Sequence, residues 1–188
     1  MLSIVIVGAA LLSLFFLYQN YRLGLSDGQS TKAIAQEKAR SGLPVRLTIP
    51  KINVDATVEY VDTAPDGTMG VTKGPNDVAW YEPGKIPGEN GSAVIAGHSG
   101  WKDGIPAVFD NLFKLKKGDR VYVENDEEIV STFVVREVRI YDPQADATGV
   151  FNSEDGTAHL NLITCAGIWD TLSKSSSERL VVFTDEEN

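Results

Sequence analysis

The sequence predicts an all-β domain, closed into a barrel or stacked as a sandwich, with a hydrophobic segment ahead of it. Three observations carry this reading. Past Val45 the chain breaks into short runs rich in Val, Ile, Thr and aromatic residues. Turn-forming clusters of Gly, Pro, Asn and Asp separate those runs. The composition, 43% hydrophobic and 23% charged over 188 residues, is that of an ordinary globular domain large enough to bury a core. No internal repeat or low-complexity run suggests another architecture.

Taken in order, residues Leu2 to Tyr18 (LSIVIVGAALLSLFFLY) carry no charge, no Pro and no amide side chain. A run of this length lies at the short end of the membrane-spanning range. Phe15, Phe16, Tyr18 and Tyr21 would form an aromatic belt at one interface. A cleaved signal peptide would begin with basic residues and end in small ones, and LFFLYQNY offers neither. Residues 1–21 are therefore expected to be an uncleaved transmembrane helix. Arg22, Lys32, Lys38 and Arg40 follow the span, and the positive-inside rule by itself would keep them cytoplasmic.

Residues 22–42 read as a polar spacer, with TKAIAQEKAR as a short helical stretch stopped by Ser-Gly-Leu-Pro. The domain proper spans 43–188. RLTIPKINVDATVEYV alternates β-branched residues, with Pro50 limiting one strand. GSAVIAGHSG is a short buried strand ending in glycine. VFDNLFKLKKGD has helical spacing at Val108, Leu112 and Leu115. RVYVEN, STFVVREVRIYD, HLNLITCAG and RLVVFTD complete the strands.

A net charge of −9 excludes a typical nucleic-acid binder and electrostatic docking on an anionic membrane. A single cysteine excludes an internal disulfide framework and any multi-cysteine zinc site. That cysteine, Cys165, is either a small buried hydrophobe or a reactive thiol. A reactive thiol needs a proton carrier and a donor for the developing oxyanion. The chain has two histidines. His98 follows the apolar run Ala93–Ala96 and a glycine, which places an imidazole at a strand mouth. His159 shares a strand face with Cys165 but lies six residues away, roughly 20 Å on a regular strand, too far to exchange a proton. It reads as a solvated or hydrogen-bonded strand residue. Arg179 opens the last strand, where its fork of donors could hold a carbonyl or oxyanion, or pair with a surface acid such as Glu178.

Together these stretches resemble the sortases, membrane-anchored cysteine transpeptidases of bacterial surfaces, over about Leu43 to Asp185. LPVRLTIPKINVDATV looks like the family's first strands, AVIAGHSG like its histidine motif, NLITC like its Thr-Leu-X-Thr-Cys signature, and RLVVFT like its arginine strand. Asn161 stands where the family usually has Thr. The resemblance implies a closed eight-stranded sortase-type β-barrel with short helices, behind an N-terminal anchor with the domain facing outward. It implies that Cys165 attacks the Thr carbonyl of a Leu-Pro-X-Thr-Gly (LPXTG-like) sorting signal on a surface protein. His98 would serve the leaving and incoming amines, and Arg179 the oxyanion. Thr164, Ala96 and Ile163 would contact substrate. The amine acceptor, such as a cell-wall precursor, would resolve the acyl-enzyme. A cysteine hydrolase with the same triad and a pilus-polymerising sortase stay open as alternatives.

The spacer lacks the Asp-Pro-aromatic lid element of pilus enzymes. The stretch from Ala93 to Val123, with Trp101 and a Gly-Ile-Pro insert, is more like class D, E and F members than class A or B. One branch of the family binds calcium near the site loops. The loop acids here (Glu89, Asp103, Asp142, Asp146, Glu154, Asp155) have no dedicated calcium-loop spacing, so no metal or cofactor is expected. Trp80, Tyr81 and Trp101 either shape the substrate groove or belong to the core.

Overall fold

Pro44–Ile49 (β1) and Val54–Val61 (β2) are the first two strands of the computed structural model, which describes residues 42–172 and 175–187. Pro50 cannot extend the β1 ladder because it has no N–H, so the chain turns there through a one-turn 3-10 segment, Pro50–Ile52. Val78–Tyr81 (β3), Gly91–Ala96 (β4), Arg120–Asn125 (β5), Val130–Tyr141 (β6), Ala158–Asp170 (β7) and Ser175–Glu186 (β8) follow. They close into a barrel in the order β1-β2-β3-β4-β7-β8-β6-β5, with β5 pairing back onto β1. Of the two architectures the strand pattern allowed, the chain adopts the barrel. The ladders β2/β3 and β4/β7 are parallel and the rest antiparallel. The N-terminal segment and nearly all of the spacer lie outside the described residues. Among those described, no helix is long and apolar enough to cross a membrane.

Alternation fills the interior. Leu47 and Ile49 from β1, Ile95 from β4, Leu160 and Leu162 from β7, and Val182 from β8 are fully buried in one cluster with Phe109, Leu112 and Phe133. Each such side chain contributes about 1.5–3 kcal/mol. Trp80 belongs to this core, and its indole N–H donates to the Lys85 carbonyl at 3.0 Å. It is therefore no part of a substrate loop.

VFDNLFKLKKGD forms no α-helix. Phe109, Leu112 and Leu115 are buried, but a single 3-10 turn, Leu112–Lys114, is enough to turn them inward. The α-helix in the described chain is one turn, Thr148–Phe151 (α1), in the β6–β7 connection. Val150 of α1 joins Val181 and Phe183 in a second, smaller cluster on the outer face of β7 and β8, with Ile163, Tyr141 and Phe151 against it.

Candidate active site

Along β7 the side chains of His159, Asn161, Ile163 and Cys165 alternate with those of Leu160, Leu162 and Thr164. The second set faces the core, so Cys165 belongs to the outer row. Directly opposite Cys165 on β8 is Arg179, and directly opposite Arg179 on β6 is Tyr141. Opposed residues project to the same face of a sheet, so these three form one row across three adjacent strands. On the other side of β7, Ala96 of β4 pairs with Ile163. Gly97 extends that ladder, its N–H donating to the Ile163 carbonyl at 3.0 Å. His98, two residues past Ala96, thereby reaches the level of Cys165, two residues past Ile163.

His98 is held from several sides. Its carbonyl accepts from the Phe109 N–H at 2.9 Å. Its Nε2 lies 3.1 Å from the Thr72 carbonyl oxygen. A carbonyl can only accept, so Nε2 carries a hydrogen in this contact and Nδ1 is left for other partners. Trp101 meets the imidazole edge-on, with ring centroids 4.7 Å apart. Gly97 is required by close approach: a Cβ there would lie 2.5 Å from the Phe109 ring and 2.8 Å from Val108. The buried Thr164 hydroxyl donates to the Gly97 carbonyl at 2.7 Å, stitching the segment that leads from β4 to His98 onto β7. Sequence reasoning missed Thr72 as the anchor of His98; the glycine before the histidine was the visible trace of the tight packing.

A cavity of about 980 Å³ opens beside this row, lined by His98, Trp101, Asp110, Thr164, Cys165 and Trp169 among others. Cys165 is a free, half-buried thiol. Ala96 and Ile163 do not border the cavity; they sit side by side, half-buried, on the outer face, with Ile163 packed into the cluster around α1. The thiol thus stands between two approaches, the cavity and the outer face.

Two placements differ from the sequence reading. Neither Cys165 nor Arg179 marks a strand end: β7 runs on to Asp170 and β8 begins at Ser175. A bulge between Ala166 and Trp169 bends the pair just past the thiol, with Gly167 at φ +75° and the Ile168 N–H donating to the Ser177 hydroxyl at 2.9 Å. Arg179 does not border the cavity. Its Nη1 donates to the carbonyls of Ser176 and Glu178 at 3.0 and 2.9 Å, and its Nη2 to the Ser175 hydroxyl at 3.1 Å. Among the described residues its Nε–H has no partner. The surface pairing with the Glu178 carboxylate, left open by the sequence, is not formed; the contact is to the Glu178 backbone.

His159 is buried, not solvated, at the far end of β7. Its Nδ1 lies 2.8 Å from Asp185, and its Nε2 lies 3.0 Å from both oxygens of Asp155. Asp155 also accepts from the Thr157 N–H and hydroxyl at 3.0 and 2.8 Å. The Thr157 N–H first, then His159 and the Thr157 hydroxyl, hold the Asp155 carboxyl well below its ordinary value of 3.8. A depressed carboxyl stabilises the fold above its ordinary value, and that contribution is lost as pH falls through the lowered one. Asp155→Asn should therefore melt below the parent at pH 7, with the gap closing as pH drops below about 4. Paired melting curves across pH check this; a gap that persists or widens in acid contradicts it.

Three of the other loop acids cap turns. Asp142 accepts from the Gln144 N–H, Asp146 from Thr148, and Glu89 from the Ile86 N–H. Among the described residues no group of three acids, His or Cys is placed to hold a metal ion.

The family model of the sortase domain matches residues 47–187. The chain belongs to the sortase family. As a sortase it is a cysteine transpeptidase, and sortases act on sorting signals and amine nucleophiles. Solved structures agree on the barrel. The chain is similar to a lid mutant of sortase A from Corynebacterium diphtheriae, at 21% identity and TM-score 0.61, over 78% of this chain and 70% of that one. Sortase C-1 from Actinomyces oris matches at 25% identity and TM-score 0.59, over 77% and 75%. Sortase C-1 from Streptococcus pneumoniae matches at 26% identity and TM-score 0.57, over 76% and 66%. No curated protein matches the sequence.

Proposed function

We propose that this sortase cleaves an LPXTG-like sorting signal between Thr and Gly and joins the new carboxyl end to an amine, anchoring surface proteins to the cell wall. The observation that supports this assignment of roles is the placement of Cys165 directly opposite Arg179 on β7 and β8, with His98, just past the end of β4, lining the same cavity as Cys165. The Cys165 thiolate attacks the Thr carbonyl carbon. Arg179, through the Nε–H left without a partner, supports the oxyanion, joined by backbone N–H groups. As the C–N bond breaks, His98 gives a proton to the departing Gly amine, leaving a thioester on Cys165. The incoming amine attacks that thioester, its proton passes to His98, and the amide forms as the thiol is released. Thr164 keeps the segment leading to His98 in register with β7 from the core side. Ala96 and Ile163 support the peptide on the outer face, and Trp101 steadies the imidazole.

We also take residues 1–21 as an uncleaved single-pass anchor with the catalytic domain outside the cell. The apolar run Leu2–Tyr18 and the family resemblance support this. Assignment to class D, E or F rests on the stretch Ala93–Val123; the structures compared above are named sortase A and sortase C.

Partition of the acyl-enzyme tests transpeptidation against hydrolysis. The full chain in mild detergent, given a Leu-Pro-X-Thr-Gly peptide and rising glycine-peptide amine, should shift product from free acid to amide as the amine rises. A product ratio that ignores the amine would assign the chain to hydrolysis.

A further inference from the structure

Asn161 is buried, 1% exposed, on the outer row of β7 between His159 and Ile163. Its Nδ2 donates to the Val150 carbonyl at 2.6 Å, while its Oδ1 is buried and, among the described residues, has no partner. An orphaned buried acceptor is costly, so the bond on the other side of the amide has to matter. Flipping the amide would set Oδ1 against the Val150 oxygen, two acceptors in contact, so the donor must face α1.

A single turn of helix cannot hold itself in water. The ends of α1 leave carbonyls unpaired, and Val150 is itself buried. The amide of Asn161 satisfies that carbonyl and fixes how far α1 stands from β7. Around this point Val150, Phe151, Ile163, Val181 and Phe183 pack together, and Phe151 meets Tyr81 of β3 edge-on, ring centroids 5.5 Å apart. The connection that carries α1 is fastened a second time at its end, where Asp155 binds His159. Ile163 and its partner Ala96 lie between Asn161 and the level of Cys165. The depth at which α1 sits is therefore the wall height of the outer approach to the thiol.

We propose that Asn161 is a positioning residue for peptide recognition: its amide pins α1 over the outer face and sets the fit of the sorting peptide, without touching the reacting atoms. This rests on the reading that the peptide lies over Ala96 and Ile163. Nothing in it involves the cavity beside His98.

The test uses the full chain with Asn161→Leu, which keeps the branching at Cγ but removes the polar atoms, and Asn161→Thr, which is too short to span to α1. Two readouts are taken. Hydrogen exchange at the Val150 and Asn152 amides, which donate to Ala147 and Thr148 within this turn, should speed up about tenfold or more in both variants, with the Leu160 and Leu162 amides unchanged. KM for the sorting peptide should rise about tenfold while kcat stays within about twofold. Unchanged exchange at α1 overturns the pinning. Faster exchange with unchanged KM, or a loss confined to kcat, overturns the role in recognition. If the parent does not turn over any sorting peptide, the functional reading fails instead, and the exchange data still decide whether Asn161 holds α1.

Discussion

Replacing Cys165 by alanine abolishes turnover of the sorting peptide, a loss of about 10⁴-fold or more, because no other nucleophile is available to form the acyl intermediate. The chain contains no second cysteine to substitute for it. Without the thiolate there is no acyl-enzyme for His98 to serve as acid or base. The fold should survive the change: Cys165 is half-buried, makes no disulfide and stands outside both apolar clusters. Truncating a site of this kind costs stability on the order of 1 kcal/mol. The expected outcome is a protein with near-parental melting temperature and no product by peptide chromatography. Residual turnover at a tenth of the parental rate would mean that the thiol is a packing residue and that the chemistry lies elsewhere.

Arg179→Ala should lower kcat/KM by about 10²–10³-fold, the usual cost of losing one oxyanion donor. Arg179→Lys should recover little of it, since an ammonium has no Nε–H and cannot reproduce the fork that also holds the hairpin. The proposed oxyanion role of Arg179 has to be separated from the hairpin contacts that the structure shows. Its Nη groups tie down Ser175, Ser176 and Glu178 at the start of β8, and its Nε–H remains for substrate. The hairpin contacts are half-exposed hydrogen bonds, each with a net worth of about 0.5–1.5 kcal/mol. A purely structural arginine would therefore appear as a lower melting temperature with kcat retained. The expected result is the reverse: kcat falls, and the melting temperature moves by only a few degrees.

Sequence patterning made the barrel legible because alternation is a direct record of a sheet with one buried face. Polar His159 and Asn161 alternate in the sequence with apolar Leu160 and Leu162, and the two leucines are fully buried in the core. The histidine motif was legible through Gly97, whose position admits no side chain. Other features leave no such record. α1 is four residues long, too short for a 3.6-residue period to show. The spacing Val108, Leu112, Leu115 suggested a helix, yet a 3-10 turn buries the same residues. Cys165 looked like a strand end because Ala166-Gly167 reads as a break, whereas a left-handed glycine inside a bulge lets the strand continue. Trp80 could not be assigned to core or groove until its partners were known. That His159 is buried and hydrogen-bonded to Asp185 became visible only when β8 was placed beside β7. In each case the missing information was a contact between residues distant in the chain.

The proposed transpeptidation requires that Cys165 carry the acyl group. Intact mass spectrometry of the full chain, mixed with a Leu-Pro-X-Thr-Gly peptide in the absence of amine and followed by peptide mapping, tests it directly. The expected result is a mass increase equal to the free acid ending at Thr less one water, located on Cys165 and discharged when amine is added. Cleavage of the peptide with no adduct on Cys165, or an adduct at another residue, would contradict it.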